Sequence, residues 1–186
     1  IVIGTTEDNG AVLGMGHVRR GGTGVTNVGM LVEDKEGFLL QLKEAFDQCG
    51  FNVKIHENIQ TLIWDKLFTN VSLSALTGVL QVDMGYIAAN EYAWDLCCQL
   101  IHETVKTAAA AGLDFDEEKV REKVKNTSIN NPKGCTSIRA DLRDGRKTEV
   151  DTISGAVVRA AHKHGVEVPG HECIVRLVHA MEGRNK

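Results

Sequence analysis

Lys66, Asn70 and Ser74 recur at every fourth position of one apolar-periodic run, Asn58 to Thr77. On an α-helix, steps of four rotate each side chain by about 40° past a full circle, so the three share one broad face. A cation, an amide and a hydroxyl in that order can grip a small oxygen-rich anion and hand it a proton. Leu62, Ile63, Leu67, Phe68, Val71 and Leu76 are spaced to face a core. Taken alone, the same strip also fits a solvated helix edge.

A second constellation lies downstream. Thr136-Ser137-Ile138-Arg139-Ala140-Asp141 is followed by Gly145-Arg146-Lys147-Thr148-Glu149-Val150-Asp151. Ser137 can hydrogen-bond at a helix start, and Glu149 is expected at the opening of the next helix. Alone, these two also read as a cap and a first-turn acid. His162, His164, His171 and Cys173 are close in sequence, but the first two are two apart and diverge on a helix, so no metal site is expected. A dinucleotide loop needs G-x-G-x-x-G between a strand and a helix. After Gly14-Met15-Gly16, Arg19 stands where the third glycine belongs, so this stretch reads as a turn.

The elements that must position these residues fall into two parts. Residues 1–56 read as α/β. Ile1–Ile3 and Gly24–Val32 are expected strands, with hairpins or tight turns in the glycine-rich stretch between them (Gly14, Gly16, Gly21, Gly22, Gly24). A helix from an Asp34 cap to Cys49, stopped by Gly50, precedes a half-buried strand at Phe51, Val53 and Ile55. From Glu57 the pattern is helical. The Lys66 helix is expected to end near Gly78, and a long helix runs from Glu91 to Ala111 between an Asn90 cap and Gly112. Asp116–Lys125 reads as a short solvated helix. Further helices are expected at Thr136–Arg143, Glu149–His164 and His171–Met181.

With 186 residues, 42% of them hydrophobic, the chain can bury a sizeable core. A net charge of −4 gives no general attraction to nucleic acid or anionic membrane, and no apolar run is long enough for a membrane span. The five cysteines are odd in number and contain no C-x-x-C, which fits a reduced cytoplasmic setting with most of them as small core residues. The chain opens on Ile-Val-Ile, with no Met before an apolar strand, and is expected to be a fragment.

Trp64-x-Lys66-x-x-x-Asn70, Ser137-x-x-x-Asp141, Thr148-Glu149-x-Asp151-x-x-x-Gly155 and Gly165-Val166-x-Val168-Pro169 come in the order and rough spacing of ketopantoate reductases (2-dehydropantoate 2-reductases). Gly4-Thr5-Thr6…Ala11 and Gly24-Val25-Thr26-x-Val28-Gly29 resemble the last strands of that family's nucleotide domain. The resemblance implies an α/β remnant of a Rossmann domain over residues 1–56. An all-α substrate domain would follow over 57–186, similar to the C-terminal domain of 6-phosphogluconate dehydrogenase. The family's G-x-G-x-x-G would lie outside this chain.

The resemblance also implies roles. Lys66 matches the general acid of an NADPH-dependent reduction of a 2-keto acid, most simply ketopantoate to pantoate in pantothenate and coenzyme A biosynthesis. Asn70, Ser74 and Ser137 match substrate-binding positions. Glu149 matches a glutamate near the cofactor and the reacting groups, and Ala11 lies near a backbone position that meets the nicotinamide. The keto acid would lie in a cleft between domains. Two positions depart from the family: Ser74 where a second asparagine is usual, and Met84 where an asparagine often contributes. A paralogous 2-keto or 3-hydroxy acid dehydrogenase is therefore a first alternative. A non-catalytic helical docking or dimerisation domain is the second. The partners implied are a small 2-keto acid and a second copy in a homodimer, with neither nucleic acid nor membrane. The fragment alone is expected to be inactive and to bind NADPH only weakly.

Overall fold

The computed structural model describes residues 1–8, 10–21 and 24–185, with the backbone alone at Ala11 and Asn185. It divides into two compact units, Ile1–Trp64 and Asp65–Lys186.

In the first unit, β4 (Val25–Met30) is the middle strand of three. It pairs antiparallel with β1 (Val2–Thr6) and parallel with β5 (Asn52–Ile55). A parallel neighbour requires a crossover, and α1 (Phe38–Gln48) supplies it. Val28, Leu39 and Val53 form the buried core, flanked by Val2, Met30 and Ile55. Asp34 does serve the start of α1, from further upstream than expected. Its carboxylate accepts the Phe38 and Leu39 N–H groups at 2.9 and 2.7 Å, while Gly37 occupies the cap position in the left-handed conformation. These amides, Leu39 foremost, hold the Asp34 carboxyl below its usual range. The expected hairpin is β2 (Gly10–Gly14) with β3 (His17–Arg20). The Asp8 carboxylate fastens its base through Arg20 Nη2 at 2.9 Å and the Gly24 N–H at 3.2 Å. Gly22 lies outside the described residues.

The second unit is helical. α2 (Ile59–Thr69) enters it, and a π-helical segment, Asn70–Ser74, joins α2 to α3 (Ala75–Leu80). α5 (Glu91–Ala110) is the central helix. Asn90 Oδ1 accepts the Ala93 N–H at 3.0 Å, and Cys97, Leu100, Ile101, Thr104 and Ala108 are buried at helical spacing. α4 (Met84–Ala89) was not anticipated: six residues are too few to show a period. Its Gly85 is packed so closely on Pro132 that a Cβ would lie 2.8 Å from the Pro132 Cα.

α6 runs from Glu117 to Asn130 and is not merely solvated. Val120, Val124 and Ser128 form a narrow buried stripe that the surrounding charges mask in the sequence. The Ser128 hydroxyl donates to the Met84 carbonyl at 2.6 Å and accepts the Ala88 N–H at 3.3 Å, binding α6 to α4. α7 (Ser137–Arg143), α8 (Ser154–His164) and α9 (Pro169–Glu182) complete the unit. α8 starts five residues later than expected, because Ile153 leaves the helical region at φ −100°, ψ −94°.

Among the cysteines only Cys97 is buried. Cys98 is half-buried, and Cys49, Cys135 and Cys173 are exposed, which corrects the expectation of core thiols. Cys49 follows α1, Cys135 precedes α7, and Cys173 lies on α9. Burial pushes the Cys97 thiol up to about 12.

The first turn of α9 is capped across the unit. The buried Glu103 carboxylate accepts the Gly170 and His171 N–H groups at 2.9 and 3.0 Å, and Gln99 Nε2 donates to it at 3.0 Å. Next to it, the buried His171 ring shares its Nε2 proton with the Leu100 carbonyl at 3.0 Å and Thr104 Oγ1 at 2.9 Å. Glu103→Ala strands two buried amides at a helix N-terminus and is expected to cost about 2 kcal/mol of unfolding free energy. Urea denaturation checks this, and Glu103→Gln should recover part of the loss.

Candidate active site

Lys66 sits exposed on the last full turn of α2. The turn is anchored on both sides. Phe68 is buried and meets Phe115 edge-on, with ring centroids 4.9 Å apart at 77°. Asp65 forms an ion pair with Lys123 of α6. From Asn70 the hydrogen-bond register widens, and the Ala75 N–H reaches back five residues to the Asn70 carbonyl. Such a widened turn is rare and frequently falls at functional positions. It interrupts the uniform α-helical stripe expected from the spacing. The three polar residues then differ in depth: Lys66 is exposed, Asn70 half-buried, and Ser74 only 6% exposed.

Hydroxyls satisfy the carbonyls along this irregular run. Ser72 Oγ donates to Phe68 O at 2.6 Å and Thr77 Oγ1 to Leu73 O at 2.7 Å. Thr77 Oγ1 is also 2.7 Å from Thr136 Oγ1. Since Thr77 spends its proton on Leu73, Thr136 donates to Thr77 and accepts the Arg139 N–H as the cap of α7. This hydroxyl pair ties the start of α7 to α3. Gly78 permits the approach, for a Cβ there would lie 2.4 Å from Ile138 Cγ2. Ser137, expected as a possible cap, is instead the first, exposed residue of α7, with its side chain released from capping by Thr136. α7 packs on both α3 and the π-helical segment. The structure thus assembles Lys66, Asn70 and Ser74 on one run, with the Ser137 helix against it.

Glu149 is carried by a different element. It is exposed on the turn between α7 and α8 rather than at a helix opening, and its carbonyl accepts the Thr152 and Ile153 N–H groups at 3.0 and 3.1 Å. Ala11 lies in the first unit, in β2 opposite Arg19, and its side chain is outside the described residues. Met84 is buried at the start of α4, with the Asn131 amide 3.9 Å from its sulfur, so this departure from the family falls in packing. The stretch Gly14–Arg19 forms the hairpin turn and β3, not a strand-to-helix loop, and does not fit a pyrophosphate. Among the described residues no group of side chains could hold a metal ion. No helix of the described residues is long and apolar enough to cross a membrane.

The polar cluster around the Glu149 turn is not visible in residue spacing. Glu182, on the last turn of α9, accepts the Thr148 N–H and hydroxyl on Oε1 at 2.7 and 2.8 Å. His179 bridges Glu182 Oε2 at 2.9 Å and Asp151 Oδ1 at 3.0 Å. Glu182 first, then Asp151, raises the His179 pKa above its ordinary 6.5. For a raised histidine, the stability from the charged ring is complete below the unfolded value and is lost as pH climbs through the folded one. His179→Gln is therefore expected to lower the melting temperature most below pH 6.5, with the difference from the parent shrinking at higher pH. His171 contributes the opposite sign: burial lowers its pKa, so its stability is lost as pH falls. Melting curves of parent and His179→Gln across this range isolate the His179 contribution.

With this geometry in view, a family model described as the C-terminal part of ketopantoate reductase PanE/ApbA matches residues 58–182. The chain belongs to the ketopantoate reductase family. A 2-dehydropantoate 2-reductase of Pyrococcus horikoshii is 29% identical over 97% of this chain and 60% of its own length. The chain thus spans about 60% of the length of that relative. Solved structures agree. D-Mandelate dehydrogenase with NADH superposes at a TM-score of 0.89, at 26% identity, over 100% of this chain and 63% of that one. The same enzyme with NADH and anilino(oxo)acetate gives 0.87 at 26% identity, over 99% and 60%. A dimeric ketopantoate reductase from Staphylococcus aureus, 20% identical, shares the fold at 0.87 over 100% of this chain and 63% of its own. The fold expected of a ketopantoate reductase, a small α/β portion followed by an all-α domain, is the fold observed.

Proposed function

We propose that this chain is the substrate-side part of an NADPH-dependent reductase that converts a 2-keto acid, in the first place ketopantoate, to its 2-hydroxy acid. In this reading residues 1–56 end the dinucleotide-binding domain and 57–186 form the substrate domain, a division supported by a family match that begins at residue 58. The observation that carries the reading is the graded polar run. An exposed ammonium stands one turn before a half-buried amide and a buried hydroxyl, at a π-helical widening, with Ser137 on the adjoining helix.

The nicotinamide, when bound, supplies hydride to the ketone carbon. Negative charge then grows on the carbonyl oxygen, where Lys66 stabilises it and delivers a proton. Asn70 and Ser74 hydrogen-bond the substrate's oxygens, and Ser137 holds its carboxylate. Glu149 would orient the reacting groups, and the Ala11 backbone would help hold the nicotinamide. The Gly14–Arg19 stretch is hairpin rather than a strand-to-helix phosphate loop, so these 186 residues by themselves are expected to have little affinity for NADPH and no turnover. A homodimer in the cytoplasm is part of the same proposal.

A second reading is favoured by one observation: the 26% identity and TM-score of 0.89 to a D-mandelate dehydrogenase. With a serine at position 74, the pocket has a shorter polar reach than an amide provides, which would suit an aryl or branched 2-keto acid. Steady-state kinetics of the full-length protein separates the two, using ketopantoate and phenylglyoxylate, each with NADPH and NADH. Ketopantoate with NADPH is expected to give the highest kcat/KM. A preference for phenylglyoxylate by about tenfold or more would move the assignment to the second reading.

A further inference from the structure

The turn that carries Glu149 is fixed on both sides by the last turn of α9. Before Glu149, Thr148 is buried and gives both its N–H and its hydroxyl to Glu182 Oε1. The same hydroxyl accepts the Val150 N–H at 3.2 Å, and Val150 is fully buried. After Glu149, Asp151 Oδ1 is held by His179 Nε2, whose Nδ1 faces Glu182 Oε2. The Arg159 guanidinium donates to the Asp151 carbonyl at 3.0 Å. Glu149 is thus the exposed residue between two anchored neighbours. A carboxylate on an unrestrained turn would sample many positions; one between two pinned residues keeps a single approach direction.

We propose that Glu182 and Thr148, with His179 bridging to Asp151, are positioning residues that hold Glu149 in its working place. They act through Glu149 and do not touch substrate. The inference rests on the proposed role of Glu149 in the reductase. It adds that the end of α9, 33 positions downstream, determines how well that role is performed.

The test uses the full-length enzyme and four variants. Glu149→Gln sets the reference loss. Thr148→Val removes the hydroxyl at constant shape and is expected to lower kcat about tenfold, with the cofactor KM changed less than about twofold. Thr148→Ser keeps the hydroxyl and is expected to retain most of the activity. The double variant Thr148→Val/Glu149→Gln is expected to be no slower than Glu149→Gln alone, because the anchor acts only through the carboxylate. Full additivity in the double variant, or parent-like kcat in Thr148→Val, overturns the positioning role. A loss below about threefold in Glu149→Gln alone overturns instead the reading of Glu149 on which this inference stands. Should Thr148→Val melt too low to assay, Glu182→Leu, which removes the acceptor of both Thr148 bonds, replaces it under the same criteria.

Discussion

Replacing Lys66 with alanine in the full-length protein is expected to lower kcat by about two or more powers of ten, the usual contribution of a positioned general acid. The side chain is exposed on α2, so its loss leaves the core intact and the melting temperature within a few degrees of the parent. Anchoring of the same turn by Phe68 and Asp65 keeps the backbone in place without it. The keto acid KM should change far less than kcat, because the ammonium meets most of its charge only when the carbonyl oxygen becomes an alkoxide. Lys66→Arg should recover little: a guanidinium holds its proton too tightly to hand it on. A change in kcat below about threefold would favour a docking or dimerisation domain whose polar run is incidental.

Phe68→Ala is expected to have the largest effect on stability, about 3–5 kcal/mol, through the cavity left by a fully buried ring. Phe68 is 1% exposed and loses its edge-on partner Phe115 at the same time. For a chain of this size the melting temperature should fall by roughly 10 °C. The substitution lies between Lys66 and Asn70, where the helix begins to widen, so kcat should fall too, though less than for Lys66→Ala. Phe68→Leu, which keeps most of the volume, is expected to restore more than half of the stability. Parent-like melting of Phe68→Ala would contradict the packing that anchors α2.

Elements that carry their own punctuation were legible in the sequence. α5 was readable at both ends because Asn90 caps it and Gly112 follows it, and α1 because Asp34 and Gly50 bracket it. The family motifs added the order of the elements and the residues to compare. Features that depend on partners far apart in sequence were not legible. The widening at Asn70–Ser74 is a change of hydrogen-bond register, and no residue type there announces it. In α6, three small buried residues were outvoted by charges on the other faces. Glu149 was expected on a helix because the pattern through His164 is periodic, but Ile153 breaks the backbone before Ser154. The Thr148–Glu182 contact joins residues 34 positions apart, and either one alone reads as a polar side chain facing water.

The central claim is that Lys66 and Glu149 serve one bound keto acid. A crystal structure of the full-length protein with its nicotinamide cofactor and an unreactive keto acid analogue tests this directly. The Lys66 Nζ is expected within about 2.6–3.2 Å of the analogue's oxo oxygen, with Ser137 on its carboxylate and Glu149 lining the same pocket. An analogue bound with Lys66 turned to solvent, or with Glu149 on the far side of the helical unit, would contradict it.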